Sequence, residues 1–371
     1  SFLVTMSEQA HSSQSSQKPA VDDAPVVDAS ASSAQVCRRY FRKSHCAKGE
    51  KCPYKHTLTE RPPPIAKPGP AKNHNTRKRR RAAERGLEHA AEAARRVLAG
   101  VGLVTDGVVD MGRVFQPMPT KLEGIIPWDQ IPAAADIGAE VHPQRAQRKR
   151  WQVENMANLL EKMLPLYPSG LRVVDFGSGS GNVALPLAWR MPQVQFVLLD
   201  MKHHCIRLAK ERAEAAGLRN VEVLQGKIEE VDIGKFDVCL SVHSCGAASD
   251  LAQMAAMKWR ACFLMCPCCL GKIAHEHVSY PRSTPFSALG KEDFSVVASA
   301  ADHSEELCES RQLCKIAVEY DRKLAAEEQK YEVWLTKLDP VEASPKHDVL
   351  VGVPQELLRG GTMLEFLGVQ R

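Results

Sequence analysis

The chain has 371 residues, 44% hydrophobic and 25% charged, which suits a globular protein of two or three domains with at least one large core. Its net charge of +5 is unevenly placed: Cys37 to Arg85 holds 16 Lys+Arg against 3 Asp+Glu, a local +13, and the remaining residues carry −8. A basic front on a mildly acidic body points to a polyanionic partner for the front. No stretch approaches the roughly 20 apolar residues of a membrane helix, and the 12 cysteines do not fall at the loop spacings of a disulfide scaffold. The expectation is a reducing, intracellular setting, cytoplasmic or nuclear.

SFLVT at the start is too short for a secretory signal, and Met6 is a candidate true start. Residues 1–36, rich in Ser, Ala, Gln and Asp, are expected to be disordered. Then Cys37, Cys46, Cys52 and His56 follow with 8, 5 and 3 intervening residues. Thiolates and imidazole in a closed set of four suit structural zinc. This spacing resembles that of CCCH zinc fingers, so 37–57 is read as a finger whose folding depends on Zn2+. Tyr40, Phe41 and Tyr54 alternate with Arg38, Arg39, Arg42, Lys43, Lys51 and Lys55, giving aromatic faces for bases and cations for phosphates. RNA is therefore the expected partner; the bland alternative is that the aromatics pack around the metal and the finger binds protein. Residues 58–84 read as a Pro-rich and basic linker. Its RKRRR run (Arg77 to Arg81) serves as added basic surface, a nuclear import signal or merely a solvated stretch. Residues 85–143 read as a connector, helical through RGLEHAAEAARRVLAG and then irregular.

From residue 144 the texture changes. RKRWQVENMANLLEKML puts Val153, Met156, Leu160 and Met163 at helical spacing. Apolar runs LRVVDF, VQFVLLD, VEVL, FDVCLSV and CFLMC then alternate with helical stretches. One of these, HCIRLAKERAEAAG, has Ile206, Ala209, Ala213 and Ala216 on one face and Gly217 as its stop signal. This pattern predicts an α/β domain over 144–371 with a doubly wound parallel sheet, closed by YEVWLTKL and HDVLVGV as a hairpin.

VVDFGSGSGNVALPLA sets Gly177, Gly179 and Gly181 between a strand and a helix, where the backbone can approach a ligand. A glycine loop alone also serves dinucleotides. Here Asp175 stands at the strand end, where a carboxylate suits an ammonium group. Asp200 ends the next strand, placed to accept from ribose hydroxyls or, alternatively, to cap the following helix. No Lys follows the glycines, which excludes a P-loop. With these acids and the loop, the segment resembles the class I S-adenosylmethionine-dependent methyltransferases and their Rossmann-like sheet. The resemblance implies Asp175, Gly177, Gly179, Gly181 and Asp200 as cofactor-binding residues. One departure is LQGKIEE after the third strand, which lacks the acid that meets the adenine amine in that family; a backbone carbonyl near Gly226 or Ile228 is the expected replacement.

The fourth and fifth strands end in SVHSCGAASD and MCPCCLGK. These two turns resemble those of the glutathione S-transferase C-terminal domain-containing protein family, a likeness running from near Arg148 to PKHDVLVGVP. A finger joined to a methyltransferase is similar, as an architecture only, to the eukaryotic tRNA 2'-O-methyltransferases. Since ligands sit at the carboxyl ends of strands in open α/β sheets, His243, Cys245, Cys268 and Cys269 are the catalytic candidates. His243 is the base or a site-lining residue. The cysteines of 266–269 are a nucleophile toward a pyrimidine, ligands of a second metal with Cys245 or His243, or packing. The Cys-Pro-Cys-Cys spacing is tight for a zinc knuckle. His203, His204 and Cys205, adjacent on a helix, are set aside. No Asn/Asp-Pro-Pro-Tyr motif supports exocyclic-nitrogen methylation. The sequence thus predicts a methyltransferase acting on RNA, possibly tRNA, with Arg145, Arg148, Lys149 and Arg150 extending the RNA path. The alternatives are an RNA-binding protein on a silent methyltransferase fold, and a protein or small-molecule methyltransferase.

Overall fold

The computed structural model describes residues 74–119, 125–139, 141–302 and 308–368. They belong to the compact unit that begins at His74. Its sheet has seven strands: β1 Leu171–Phe176, β2 Val194–Asp200, β3 Val221–Gln225, β4 Val238–Val242, β5 Cys262–Cys266, β6 Tyr331–Lys337 and β7 Asp348–Pro354. The spatial order is β3-β2-β1-β4-β5-β7-β6. β1 to β5 are mutually parallel, and β7 runs antiparallel to both β5 and β6. The order reverses between β1 and β4, the switch point at which an open α/β sheet forms its binding crevice. The closing hairpin expected from YEVWLTKL and HDVLVGV is present, with β7 slotted between β5 and β6.

Strands β4, β5 and β7 are buried on both faces, which is why they read as unbroken apolar runs. Edge strand β3 is half-buried and carries Glu222 and Gln225. Alternate residues feed two core layers. Val174, Phe176, Leu199, Cys239, Phe263 and Met265 face one; Val173, Leu198, Leu240, Leu264 and Cys266 face the other. The first layer is covered by α5 Ala247–Trp259, α6 Gly290–Ala301 and α7 Glu309–Glu327, the second by α2 Pro143–Met163, α3 Ala184–Arg190 and α4 His203–Ala215. Val153, Met156, Leu160 and Met163 of α2 are buried as their spacing predicts. In β7, Gly352 makes room for the Phe263 ring: a Cβ there would lie 2.0 Å from it.

The structure redraws one boundary. Helix α1 spans His74–Gly100, starting eleven residues before Arg85 and absorbing the RKRRR run. Its Ala90, Ala93, Ala94 and Leu98 are buried in the first core layer, beside α6 and α7. Residues 85–143 are thus not a separate connector. Small side chains at i, i+3, i+4 spacing let the helix approach closely, a stripe that composition alone hides. Farther on, Ile125, Ile126, Ile131, Ala135 and Ile137 enter the second layer.

A buried ionic network ties the helices of the first layer together. Asp250 of α5 accepts from Arg322 Nε and Nη2 at 2.9 Å each, from Arg282 Nη1 at 2.9 Å and from Tyr280 Oη at 2.7 Å. Burial alone would raise its pKa, but the facing Arg322 and Arg282 guanidiniums and the Tyr280 hydroxyl hold it down at about 2. Removing one partner strands the other charge in the core. Arg322→Met is expected to lower unfolding stability by about 3–5 kcal/mol, read from the urea midpoint at unchanged slope; a loss below about 1 kcal/mol would mean the network is not desolvated.

Candidate functional site

The three glycines after β1 have different duties. Gly177, at φ +73°, is pressed by the β4 turn: a Cβ there would lie 2.6 Å from Ser244 Oγ, which donates to Phe176 O at 2.6 Å. Gly181 packs helix against sheet, with a Cβ position 2.7 Å from Leu185 and 3.0 Å from Leu198. Gly179 has no atom within 4 Å of its Cβ position, so only there is the space beside the loop open. Arg212 of α4 steadies the loop, donating to Ser180 O at 2.7 Å and Asn182 Oδ1 at 2.8 Å.

Asp200 is the latch. Its Oδ2 accepts from Gly179 N–H at 3.0 Å, its Oδ1 from Lys202 N–H at 2.8 Å, and its carbonyl from Gly226 N–H at 3.1 Å. The residue capping α4 is Lys202, not Asp200. Each carboxylate oxygen of Asp200 keeps a free lone pair. Asp175 is buried at the end of β1, and its Oδ2 has no hydrogen-bond partner. Burial first, and the neighbouring Asp200 second, push its pKa up to about 7. An orphaned carboxylate oxygen beside an open glycine backbone fits a cationic ligand with hydroxyl groups, the demand S-adenosylmethionine makes.

At the switch point lies a cavity of about 430 Å³, a size typical of small-molecule sites. Of the residues singled out in the sequence, Gly177, Asp200, His243 and Cys245 line it; Asp175 is buried and Cys268 and Cys269 join through Cys245. Ile228, Ala247, Ala248 and Leu251 give it apolar wall, and Lys202, Lys272 and His275 bring cationic or polar groups. Gly226 and Ile228, the residues named above for an adenine contact, are among those lining the cavity. Glu229 also lines it, four residues beyond the end of β3, its carboxylate 3.5 Å from His275 Nε2. It stands beyond the position directly after the strand, where an acid is missing.

The turns after β4 and β5 are stitched together. His243 N–H donates to Cys266 O at 3.1 Å, Gly246 N–H to Cys269 O at 2.8 Å and Ala247 N–H to Lys272 O at 2.9 Å. His243 sits at φ +65°, a conformation uncommon outside glycine. Its Nε2 is 2.8 Å from Gln152 Oε1, and Gln152 Nε2 donates to Ala343 O at 2.6 Å. With the amide so fixed, Nε2 donates and Nδ1 carries the lone pair. Partial burial and the nearby Lys149 charge lower the His243 pKa, which favours the neutral ring. Gln152 was not legible as a site residue: it reads as a polar position on α2, 91 residues away in the chain.

Cys245 Sγ lies 3.5 Å from Cys268 Sγ, and Cys268 Sγ 3.7 Å from Cys269 Sγ. Burial and the neighbouring thiols raise the pKa of Cys268 far above the usual thiol range, and burial raises Cys269. Such thiols are poor nucleophiles by themselves, which weakens the pyrimidine-attack reading. Cys266 belongs to the core, its pKa raised by burial to about 12. At 203–205 the residues set aside do touch in part: His204 Nε2 is 3.3 Å from Cys205 Sγ on the exposed first turn of α4. Among the described residues they form no three-ligand group. Arg150 leaves the expected RNA path, being held by Asp136 Oδ2 at 2.5 Å and stacked 5.2 Å from the Trp128 ring centroid. Arg145 and Arg148 are exposed and Lys149 half-buried. The finger residues Cys37, Cys46, Cys52 and His56 lie outside the described residues.

Comparison with known proteins agrees with this geometry. The family described as "Methyltransferase domain" matches residues 168–336. The chain is 34% identical over 239 residues to the glutathione S-transferase C-terminal domain-containing protein homolog of Drosophila melanogaster, covering 62% of this chain and 40% of that one. The Homo sapiens protein of that name is 32% identical over 249 residues, covering 65% and 38%. The chain thus spans about two fifths of the length of these relatives. A shorter stretch of 76 residues is 42% identical to ribosomal RNA small subunit methyltransferase G of Psychromonas ingrahamii, covering 20% of this chain and 37% of that one. Residues 168–336 thus match a methyltransferase domain, and the glycine loop, paired acids and switch-point cavity lie within that stretch.

Proposed function

We propose that this protein is an S-adenosylmethionine-dependent methyltransferase acting on RNA, with the 37–57 finger, holding zinc, as its RNA handle, in the cytoplasm or nucleus. The observation that carries the cofactor reading is the Asp200 latch on Gly179 beside the partnerless Asp175 oxygen. The cofactor, when bound, supplies an electrophilic methyl group on a sulfonium sulfur. Asp175 would balance the charge of its ammonium group, the spare lone pairs of Asp200 would accept from its ribose hydroxyls, and Ile228 and Leu251 would give its base an apolar wall. His243 Nδ1, held by Gln152 through the opposite ring nitrogen, takes the proton that the acceptor loses. Two features support RNA as the substrate. One is the +13 front with interleaved aromatics; the other is the likeness to a protein named for ribosomal RNA methylation. A silent methyltransferase fold on an RNA-binding protein is the competing reading, and cofactor binding separates the two.

Calorimetry with S-adenosylmethionine is expected to give micromolar binding, weakened roughly 10- to 100-fold in Asp200→Ala and in Asp200→Asn. No binding by folded protein would overturn the enzyme reading. RNA affinity is expected to fall steeply with salt, as counterion release demands; a flat dependence in fluorescence anisotropy would favour a protein or small-molecule acceptor.

The pH dependence follows from Asp175. Its folded pKa of about 7 lies well above the ordinary aspartate value of about 4. In the empty protein, the stability tied to its neutral form is fully present below about pH 4 and is lost as pH rises through 7. A cationic ligand selects the ionised form, so affinity is expected to rise from pH 6 to 8, by up to about tenfold per unit below the pKa, and to level off above it. Asp175→Asn should flatten that profile, and an unchanged slope would remove Asp175 from the site. For the base, the imidazole resonances of His243 are expected to titrate below 6.5, and upward of the wild-type value in Lys149→Ala; no upward movement would mean that Lys149 does not set it.

A further inference from the structure

Nine free cysteines lie among the described residues, and most have an ordinary place. Cys239, Cys262, Cys266 and Cys314 are core residues. Cys245, Cys268 and Cys269 are different: exposed or half-buried, they converge where the β4 and β5 turns meet, with all three sulfurs within 4.8 Å of one another. The frame around them is rigid. Three backbone hydrogen bonds join the turns, and Gly246 sits so close to the second turn that a Cβ would lie 2.0 Å from Lys272 O.

The spacing has a chemical meaning. Zinc–thiolate bonds of about 2.3 Å in a tetrahedron set sulfur–sulfur edges of about 3.8 Å. The observed 3.5 and 3.7 Å separations are near that edge. The tight Cys-Pro-Cys-Cys run stops being an obstacle, because its first cysteine is withdrawn into the core, with Cys266 Sγ 3.7 Å from Lys346 O. Its place in the group is taken by Cys245 from the other turn. Sequence spacing could not show a ligand set divided between two strand ends.

We propose that Cys245, Cys268 and Cys269 form a zinc site, separate from the finger, whose fourth position faces the cavity. Binding converts three thiols to thiolates and releases three protons, leaving a trithiolate centre of net charge −1. Three protein ligands and one open position make the kind of site that accepts a water molecule or a donor atom of the methyl acceptor. Cys245, the ligand that lines the cavity, joins the metal to the chamber.

The test uses the full chain with Cys37→Ser, Cys46→Ser and Cys52→Ser, so that the finger cannot bind metal. After chelation the protein is titrated with Co2+ and then Zn2+. The expected result is one Co2+ per chain with sulfur-to-cobalt charge-transfer absorption, displaced stoichiometrically by Zn2+. Cys268→Ser should weaken uptake at least 100-fold, while Cys205→Ser leaves it unchanged. A folded parent that takes up no Co2+, a Cys268→Ser variant that binds as well as the parent, or a Cys245–Cys268 disulfide that persists in reducing buffer would each overturn the proposal. None of these readouts needs the methyl donor, so the zinc site and the cofactor reading stand or fall separately.

Discussion

One residue, Asp200, joins the carboxyl ends of three strands. Its two carboxylate oxygens and its carbonyl accept from the loop after β1, from the entry to α4 and from the turn after β3. These bonds satisfy backbone donors at the switch point and hold open the glycine loop that faces the cavity. The carboxylate is therefore structural before any ligand arrives, and a ligand would meet only its remaining lone pairs. The shape of this edge of the sheet rests on one side chain.

The molecule handles buried acids in two opposite ways. Asp250 faces two guanidiniums and a phenol, and its carboxyl stays charged at any ordinary pH. Asp175, equally buried, has Asp200 for its charged neighbour and an oxygen without a partner, so its proton is held up to neutrality. The first arrangement serves cohesion between helices. The second is left unfinished inside the protein, and such groups gather where something else completes them.

Much of this was legible in the sequence because both faces of the sheet are covered. LRVVDF, VQFVLLD and CFLMC could be read as strands from apolar content alone, and the glycine loop and its two acids fell where strand ends require them. What could not be read depended on distance. The pairing of Gln152 with His243, the gathering of Cys245 with Cys268, and the withdrawal of Arg150 onto Asp136 all join separate segments. Glu229 is hidden in the sequence because its loop offers no periodicity to fix its direction. The reach of α1 is hard to read because alanines at helical spacing look like filler until another helix packs against them.

The antiparallel insertion of β7 has a bearing on synthesis. Strand β5, apolar along its whole length, pairs with β4 on one side and waits for β7 on the other. Until the ribosome has delivered residues 331–354, the nascent sheet ends in an uncovered, uncharged edge, the kind that recruits strands from other chains. The two final strands thus act as a seal applied last, and a stalled or shortened chain would be more prone to aggregate than to linger as a partly folded domain.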